Sequence, residues 1–171
     1  MKKPLFFSIC LIICAVVLLW FASIHGYFKK SEPFSAGTAG VNCGPKALSG
    51  IIRYYRLEVP WDSLAKLSNT NINGTTMYDL ANTAKLLGFE TAGLKTGFPG
   101  LSKLPMPSLV FVNNNHFATL LWVGDDSVLV DDQGKRDFVK RQDFLKMWGG
   151  QVLALYPGRE MQNKLNQKIK R

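Results

Sequence analysis

Beyond the N-terminal segment, the apolar stripes up to Gly88 have a helical period, and from Phe89 the period becomes strand-like, with one later helix near the end of the domain. That switch argues against the alternation of helix and strand that builds a parallel sheet. It points to an α+β architecture, helices first and packed on an antiparallel sheet. Before the switch, Leu48, Ile51, Ile52 and Tyr55 give a helix from about Gly44 to Tyr55 one apolar face, with Pro45 in its first turn. Trp61 to Leu67 suits a short second helix with Leu64 and Leu67 inward. After the loop cluster Asn69–Gly74, Thr75 or Thr76 can cap a third helix whose stripe is Met77, Leu80, Ala81, Ala84 and Leu87, with Gly88 just past its end. Such stripes are core, and no chemistry is assigned to them.

After the switch, Phe89–Leu94, Ser108–Val112, His116–Val123, Ser127–Val130 and Gln151–Tyr156 read as strands. A Gly- and Pro-rich loop covers 96–107, and turns fall at Asn113–Asn115, Gly124–Asp126 and Asp132–Lys135. Arg141 to Trp148 suits a helix, with Phe144, Leu145 and Trp148 on one side and Gly149-Gly150 ending it. There is no internal repeat and no Gly-rich loop before a helix.

A second constraint precedes the domain. Lys2 and Lys3 lead into Leu5–Ile24, a run of 20 residues with no charge and only Ser8 and Ser23 polar. At about 1.5 Å per residue such a helix spans roughly 30 Å, the thickness of a bilayer core. Trp20, Phe21, Tyr27 and Phe28 cluster at its far end, where an aromatic belt belongs. A cut after Gly26 or Ser23 would put Ile24 or Phe21 where signal peptidase sites carry a small residue, so the segment reads as an uncleaved anchor. The expected organisation is a membrane anchor over 1–30, a linker over 31–41, a globular domain over 42–156 and a basic tail over 157–171. The domain is expected outside the cytoplasm.

The formal net charge of +9 resides mostly outside the domain. Lys2, Lys3, Lys29 and Lys30 flank the anchor, and Arg159, Lys164, Lys168, Lys170 and Arg171 lie in the tail. The domain is close to neutral, so no nucleic-acid footprint is indicated. The tail suits a solvated end or contact with anionic lipid.

Cys10 and Cys14 lie inside the apolar run and His25 borders it, which leaves the domain one cysteine, Cys43, and one histidine, His116. A disulfide within the domain is therefore excluded, and no metal or cofactor is expected. Cys43 falls where loop turns into helix, and at a helix N-terminus unpaired N–H groups and the macrodipole favour a thiolate. His116 opens a strand, and Asp131 and Asp132 close the next strand of the same hairpin, so a carboxylate can stand beside the histidine across the ladder. Because strand side chains alternate, only one of the two aspartates shares its face. A thiol, an imidazole and a carboxylate are the nucleophile, base and orienter of a cysteine hydrolase.

Asn42-Cys43-Gly44-Pro45-Lys46-Ala47-Leu48 opens a series of segments that resembles the peptidase C39 family. It continues with Gly74-Thr75-Thr76, Leu87-Gly88-Phe89, Leu104-Pro105-Met106-Pro107, His116–Leu121, Val128–Asp132 and Asp143–Gly150. The resemblance covers about Asn42 to Tyr156. It implies a papain-like fold and a cysteine peptidase that typically cuts leader peptides after a Gly-Gly pair. By position it makes Cys43 the nucleophile, His116 the general base and Asp132 the residue that orients it. Val128 and Val130 are in phase with Asp132; if their face meets the helical layer, Asp132 points toward Cys43 and Asp131 toward solvent. The family's oxyanion-hole glutamine lies a few residues before the cysteine, but Gly37 stands six residues upstream here and no glutamine occurs before Gln133. The Cys43 N–H, Asn42 and Thr38 are the remaining candidates for that role.

The leading expectation is a membrane-anchored peptidase acting on a peptide or leader precursor, with a transporter or secretion system as partner. A degenerate domain that binds a peptide without cutting it is the alternative. Acyl transfer on the same constellation is a third, since hydrolysis and transfer both begin with a thioester.

Overall fold

The computed structural model describes residues 40–159 and 161–163. The expected anchor and linker, and most of the basic tail, lie outside the described residues. Three helices come first: α1 (Cys43–Tyr54), α2 (Trp61–Leu67) and α3 (Met77–Leu86). Then follow β1 (Phe89–Lys95), a single helical turn α4 (Phe98–Leu101), β2 (Ser108–Val112), β3 (His116–Val123), β4 (Ser127–Asp132), β5 (Lys135–Lys140), α5 (Arg141–Met147) and β6 (Trp148–Pro157). The six strands form one sheet in the order β1-β6-β2-β3-β4-β5, every neighbouring pair antiparallel. The α+β architecture and the order of elements agree with the sequence pattern.

The sheet is covered on both faces. On one face α1, α2 and α3 bury Leu48, Ile51, Ile52, Leu64, Leu80 and Ala84 against Phe89, Leu109, Phe117, Leu153 and Leu155. On the other, α4 and α5 bring Phe98, Leu101 and Phe144 onto Val110, Ala118, Leu120, Val128, Val130 and Val152. Thr76 caps α3, its hydroxyl accepting the Asp79 N–H at 3.1 Å. Gly88, at φ 90°, ends α3 as its position just past the helix requires.

Several local expectations are corrected. Leu67 is 47% exposed, and Ser68 takes the inward place instead. A residue four positions after Leu64 lies more nearly over it than one three positions after, and the Ser68 hydroxyl satisfies itself on the Leu64 carbonyl at 2.7 Å. Leu145 is likewise exposed, leaving Phe144 as the buried residue of α5. Gly149 and Gly150 do not end that helix but belong to β6, which already begins at Trp148. Gly150 adopts φ 94°, and a Cβ there would lie 2.9 Å from the Thr96 carbonyl, so only glycine lets the strand pass so close. Strand β5 has no counterpart in the sequence reading: among KRDFVK only Val139 is buried, while Phe138 faces outward.

Candidate active site

Cys43 is the first residue of α1, and its side chain is buried. Gly44 permits this seat: a Cβ at 44 would lie 3.0 Å from Leu80 and 3.4 Å from Phe117, so the absence of a side chain lets the helix start settle between α3 and β3. One turn further on, the Thr119 hydroxyl of β3 donates to the Ala47 carbonyl at 2.9 Å and fixes α1 against the sheet. No acidic residue occupies the first turn of α1. Its N-terminal field is therefore uncancelled from within the helix and favours negative charge on the sulfur.

His116 is the first residue of β3 and only 1% exposed; Asp132 is the last residue of β4 and 9% exposed. The His116 Nε2–H donates to Asp132 Oδ1 at 2.8 Å. The hairpin makes this contact possible because the start of β3 lies beside the end of β4. The two side chains share a face, but not for the reason the phase argument supposed. Val128 and Val130, in phase with Asp132, pack in the cluster around Phe144, away from α1–α3. His116 is in phase with Ala118 and Leu120, which belong to that same cluster. Both site residues thus stand in phase with the far-face positions of their strands, at the end of the sheet. Asp131 is the aspartate on the α1 face, where it accepts from the Gly134 N–H at 2.7 Å and from Arg136 Nε at 3.1 Å.

With Nε2 held by Asp132, Nδ1 is the ring nitrogen left to face the thiol; it is buried and has no hydrogen-bond partner of ordinary geometry. Burial alone pushes the Cys43 thiol up. Interaction with the His116 ring, the nearby Phe117 N–H, the imidazolium charge and the Gly44 N–H outweigh it, and the thiol ends below its ordinary value. Burial alone pushes His116 down. Interaction with Cys43, the hydrogen bond with Asp132 and the negative charges on both raise it above the ordinary histidine value. The two shifts both favour a thiolate beside an imidazolium.

The oxyanion candidates divide. Thr38, like Gly37, lies outside the described residues. Asn42 precedes Cys43 and is half-buried, with no side-chain capping bond to α1. The Cys43 N–H is not idle: it donates to the Gly40 carbonyl at 2.9 Å. Two contacts near the site escaped the sequence reading. The Phe117 N–H lies near enough to the thiol to favour its ionised form, a role its place after His116 could have suggested. Lys46 Nζ donates to Gln133 Oε1 at 3.0 Å, joining residues whose only sequence signal is closeness to Cys43 and Asp132. Among the described residues no group of three or more His, Cys, Asp and Glu side chains could hold a metal ion.

The family model of the peptidase C39 family matches residues 31–160, which include all three side chains. The chain belongs to the peptidase C39 family. It is 29% identical to an uncharacterized protein of Methanothermobacter marburgensis over 75% of this chain and 91% of that one. It is 25% identical to the lactococcin-G-processing and transport ATP-binding protein LagD of Lactococcus lactis subsp. lactis, over 70% of this chain but only 18% of the relative. Among solved structures, the fold matches a double glycine motif protease from an AMS/PCAT transporter in complex with its leader peptide, with TM-score 0.66 and 22% identity over 69% of this chain and 86% of that one. It also matches the peptidase domain of Streptococcus ComA, with TM-score 0.63 and 26% identity over 68% of this chain and 91% of that one. The antiparallel sheet and its helices are thus those of a C39 peptidase domain.

The converging shifts have a measurable consequence. Alkylation of Cys43 by iodoacetamide, followed by mass spectrometry of its own peptide, is expected to rise with pH through a midpoint below the roughly 8.5 of free cysteine. In His116→Ala burial is less opposed, and the midpoint moves up. A wild-type profile that coincides with free cysteine would contradict the thiolate–imidazolium pair.

Proposed function

We propose that this C39 domain is a cysteine peptidase that cleaves a peptide precursor after a Gly-Gly pair, with Cys43 as nucleophile, His116 as acid and base, and Asp132 as orienter. The observation that carries the reading is the buried Nε2–Oδ1 contact at 2.8 Å beside a thiol at the start of α1. In this mechanism the thiolate attacks the scissile carbonyl carbon. The imidazolium then gives its Nδ1 proton to the leaving amine as the C–N bond breaks, which leaves a thioester. Water attacks the thioester, His116 takes its proton, and the thiolate leaves with the new carboxylate released. Asp132 keeps Nε2–H in place throughout and offsets the imidazolium charge. A transfer enzyme would replace that water with an amine.

The Gly-Gly specificity and the peptide partner rest on kinship with transporter-linked relatives, one of which was solved with a leader peptide. A transporter or secretion system fits as partner for the same reason. The oxyanion contribution is the weak part of this enzyme. The Cys43 N–H has to turn from Gly40 or share its proton, and Asn42 or Thr38 has to supply the second donor. Loss of one such donor costs about 10²–10³ in rate, which leaves a slow peptidase. That same engagement, together with Gly37, favours the second reading: a domain that binds a peptide without cutting it.

Single-turnover cleavage of Gly-Gly-containing peptides separates the two. Wild type should cleave, Cys43→Ala should not, and Asp132→Asn should lose far more activity than Asp131→Asn. Binding without cleavage by the wild type would favour the binder, and equal losses in the two aspartate variants would overturn the role of Asp132.

We further propose that Leu5–Ile24 anchors the chain in a membrane with the peptidase domain outside the cytoplasm. The length and apolarity of that run support this. The full chain should resist carbonate extraction and be digested by protease added to spheroplasts. A shortened soluble exported form would instead mean a cleaved signal.

A further inference from the structure

The β4–β5 turn holds a residue in a conformation its side chain disfavours. Asp132 and Lys135 pair across it, and the two residues between them, Gln133 and Gly134, have φ of 54° and 98°. Positive φ at both central positions marks a type I′ hairpin turn, whose first position favours Asn, Asp or Gly. A glutamine there costs about 1 kcal/mol or more against glycine. Gln133 uses that geometry to reach across the fold, its Oε1 accepting from Lys46 Nζ at 3.0 Å over 87 positions of sequence. The same ammonium lies 5.3 Å from the centroid of the Trp61 ring in α2, a cation–π contact that limits where it can go.

The two ends of this contact flank the site. Lys46 is one turn beyond Cys43 on α1, and Gln133 directly follows Asp132. Between α1 and the hairpin lie two open hollows that share Arg53: a cleft lined by Lys46, Ser49, Trp61 and Gln133, and a second lined by Gly50, Asp131, Gly134 and Arg136. Thr119 fastens α1 to β3 at Ala47, but the hairpin that carries Asp132 is joined to α1 across this cleft by the Lys46–Gln133 bond.

We propose that Lys46 and Gln133 form a positioning clasp, steadied by Trp61, that holds the helix of Cys43 and the hairpin of Asp132 at the separation the Cys43–His116 pair needs. The inference rests on the reading of Cys43 and His116 as a working pair. Neither clasp residue touches the scissile bond; both act through the spacing of the groups beside them. The left-handed glutamine is then a local strain retained for function, since glycine would make a better turn but no clasp.

Gln133→Gly is the decisive variant because it removes the clasp and relieves the turn together. In the full chain in detergent micelles its melting temperature should equal or exceed that of wild type. Yet Cys43 alkylation at mildly acidic pH should fall by roughly three- to tenfold, with the midpoint of the pH profile moved up. Lys46→Arg, which can still donate to Gln133 and stack on Trp61, should stay within about twofold of wild type. Lys46→Met should reproduce the loss, and adding Gln133→Gly to it should cost little more, as expected for partners in one contact. A Gln133→Gly profile that superimposes on a wild-type profile of depressed midpoint would overturn the clasp while leaving the pair intact. A wild type that alkylates like free cysteine would remove the pair itself, and the clasp with it.

Discussion

A carboxylate buried at the end of a sheet is stable only where something offsets the loss of water, and the His116 Nε2–H on Asp132 does so here. Breaking such a buried pair by removing one partner typically costs about 3–5 kcal/mol, so the contact is tied to the fold as much as to the chemistry. Much of the site follows from it. The bond fixes the imidazole plane and commits Nε2, which turns Nδ1 to the thiol. The bond favours the charged ring, and a charged ring in turn favours loss of the Cys43 proton. The three side chains come from three elements, β4, β3 and α1, and none is adjacent to another in sequence.

The packing that delivers those elements is ordinary. Gly44 lets α1 sit against Phe117, Thr119 anchors the Ala47 carbonyl, and the apolar face of α1 lies in the larger core. The covering of the far face by α4 and α5 matters as much. It places Val128, Val130, Ala118 and Leu120 in one cluster and so sets the phase of both His116 and Asp132.

The sequence disclosed what periodicity can carry. Helices α1 and α3 announce themselves by three or more apolar residues on one stripe, and β2, β3 and β4 by compact apolar runs between turn residues. Cys43, His116 and Asp132 were legible because the domain holds one thiol and one imidazole and because hairpins bring strand ends together. What stayed hidden has physical causes. Strand β5 buries a single residue, so alternation had nothing to register. Leu67 lost its inward place to Ser68, whose hydroxyl finds a partner inside its own helix. Asp132 is the aspartate in contact with His116, but the phase argument names the wrong face, because it takes the sheet as covered on one side whereas both faces are covered. Lys46 and Gln133 could not be read at all, because a contact over 87 positions leaves no local pattern.

The central claim is that the resting site holds a thiolate–imidazolium pair supported by Asp132. Nitrogen-15 NMR of the His116 ring at neutral pH in wild type and Cys43→Ser tests it most directly. The account predicts protons on both ring nitrogens in the wild type, because the thiolate and Asp132 both favour the cation. It predicts a neutral ring in the serine variant, where the negative charge on the Nδ1 side is gone. A His116 ring that is neutral in the wild type, or in the same charge state in both proteins, would contradict it.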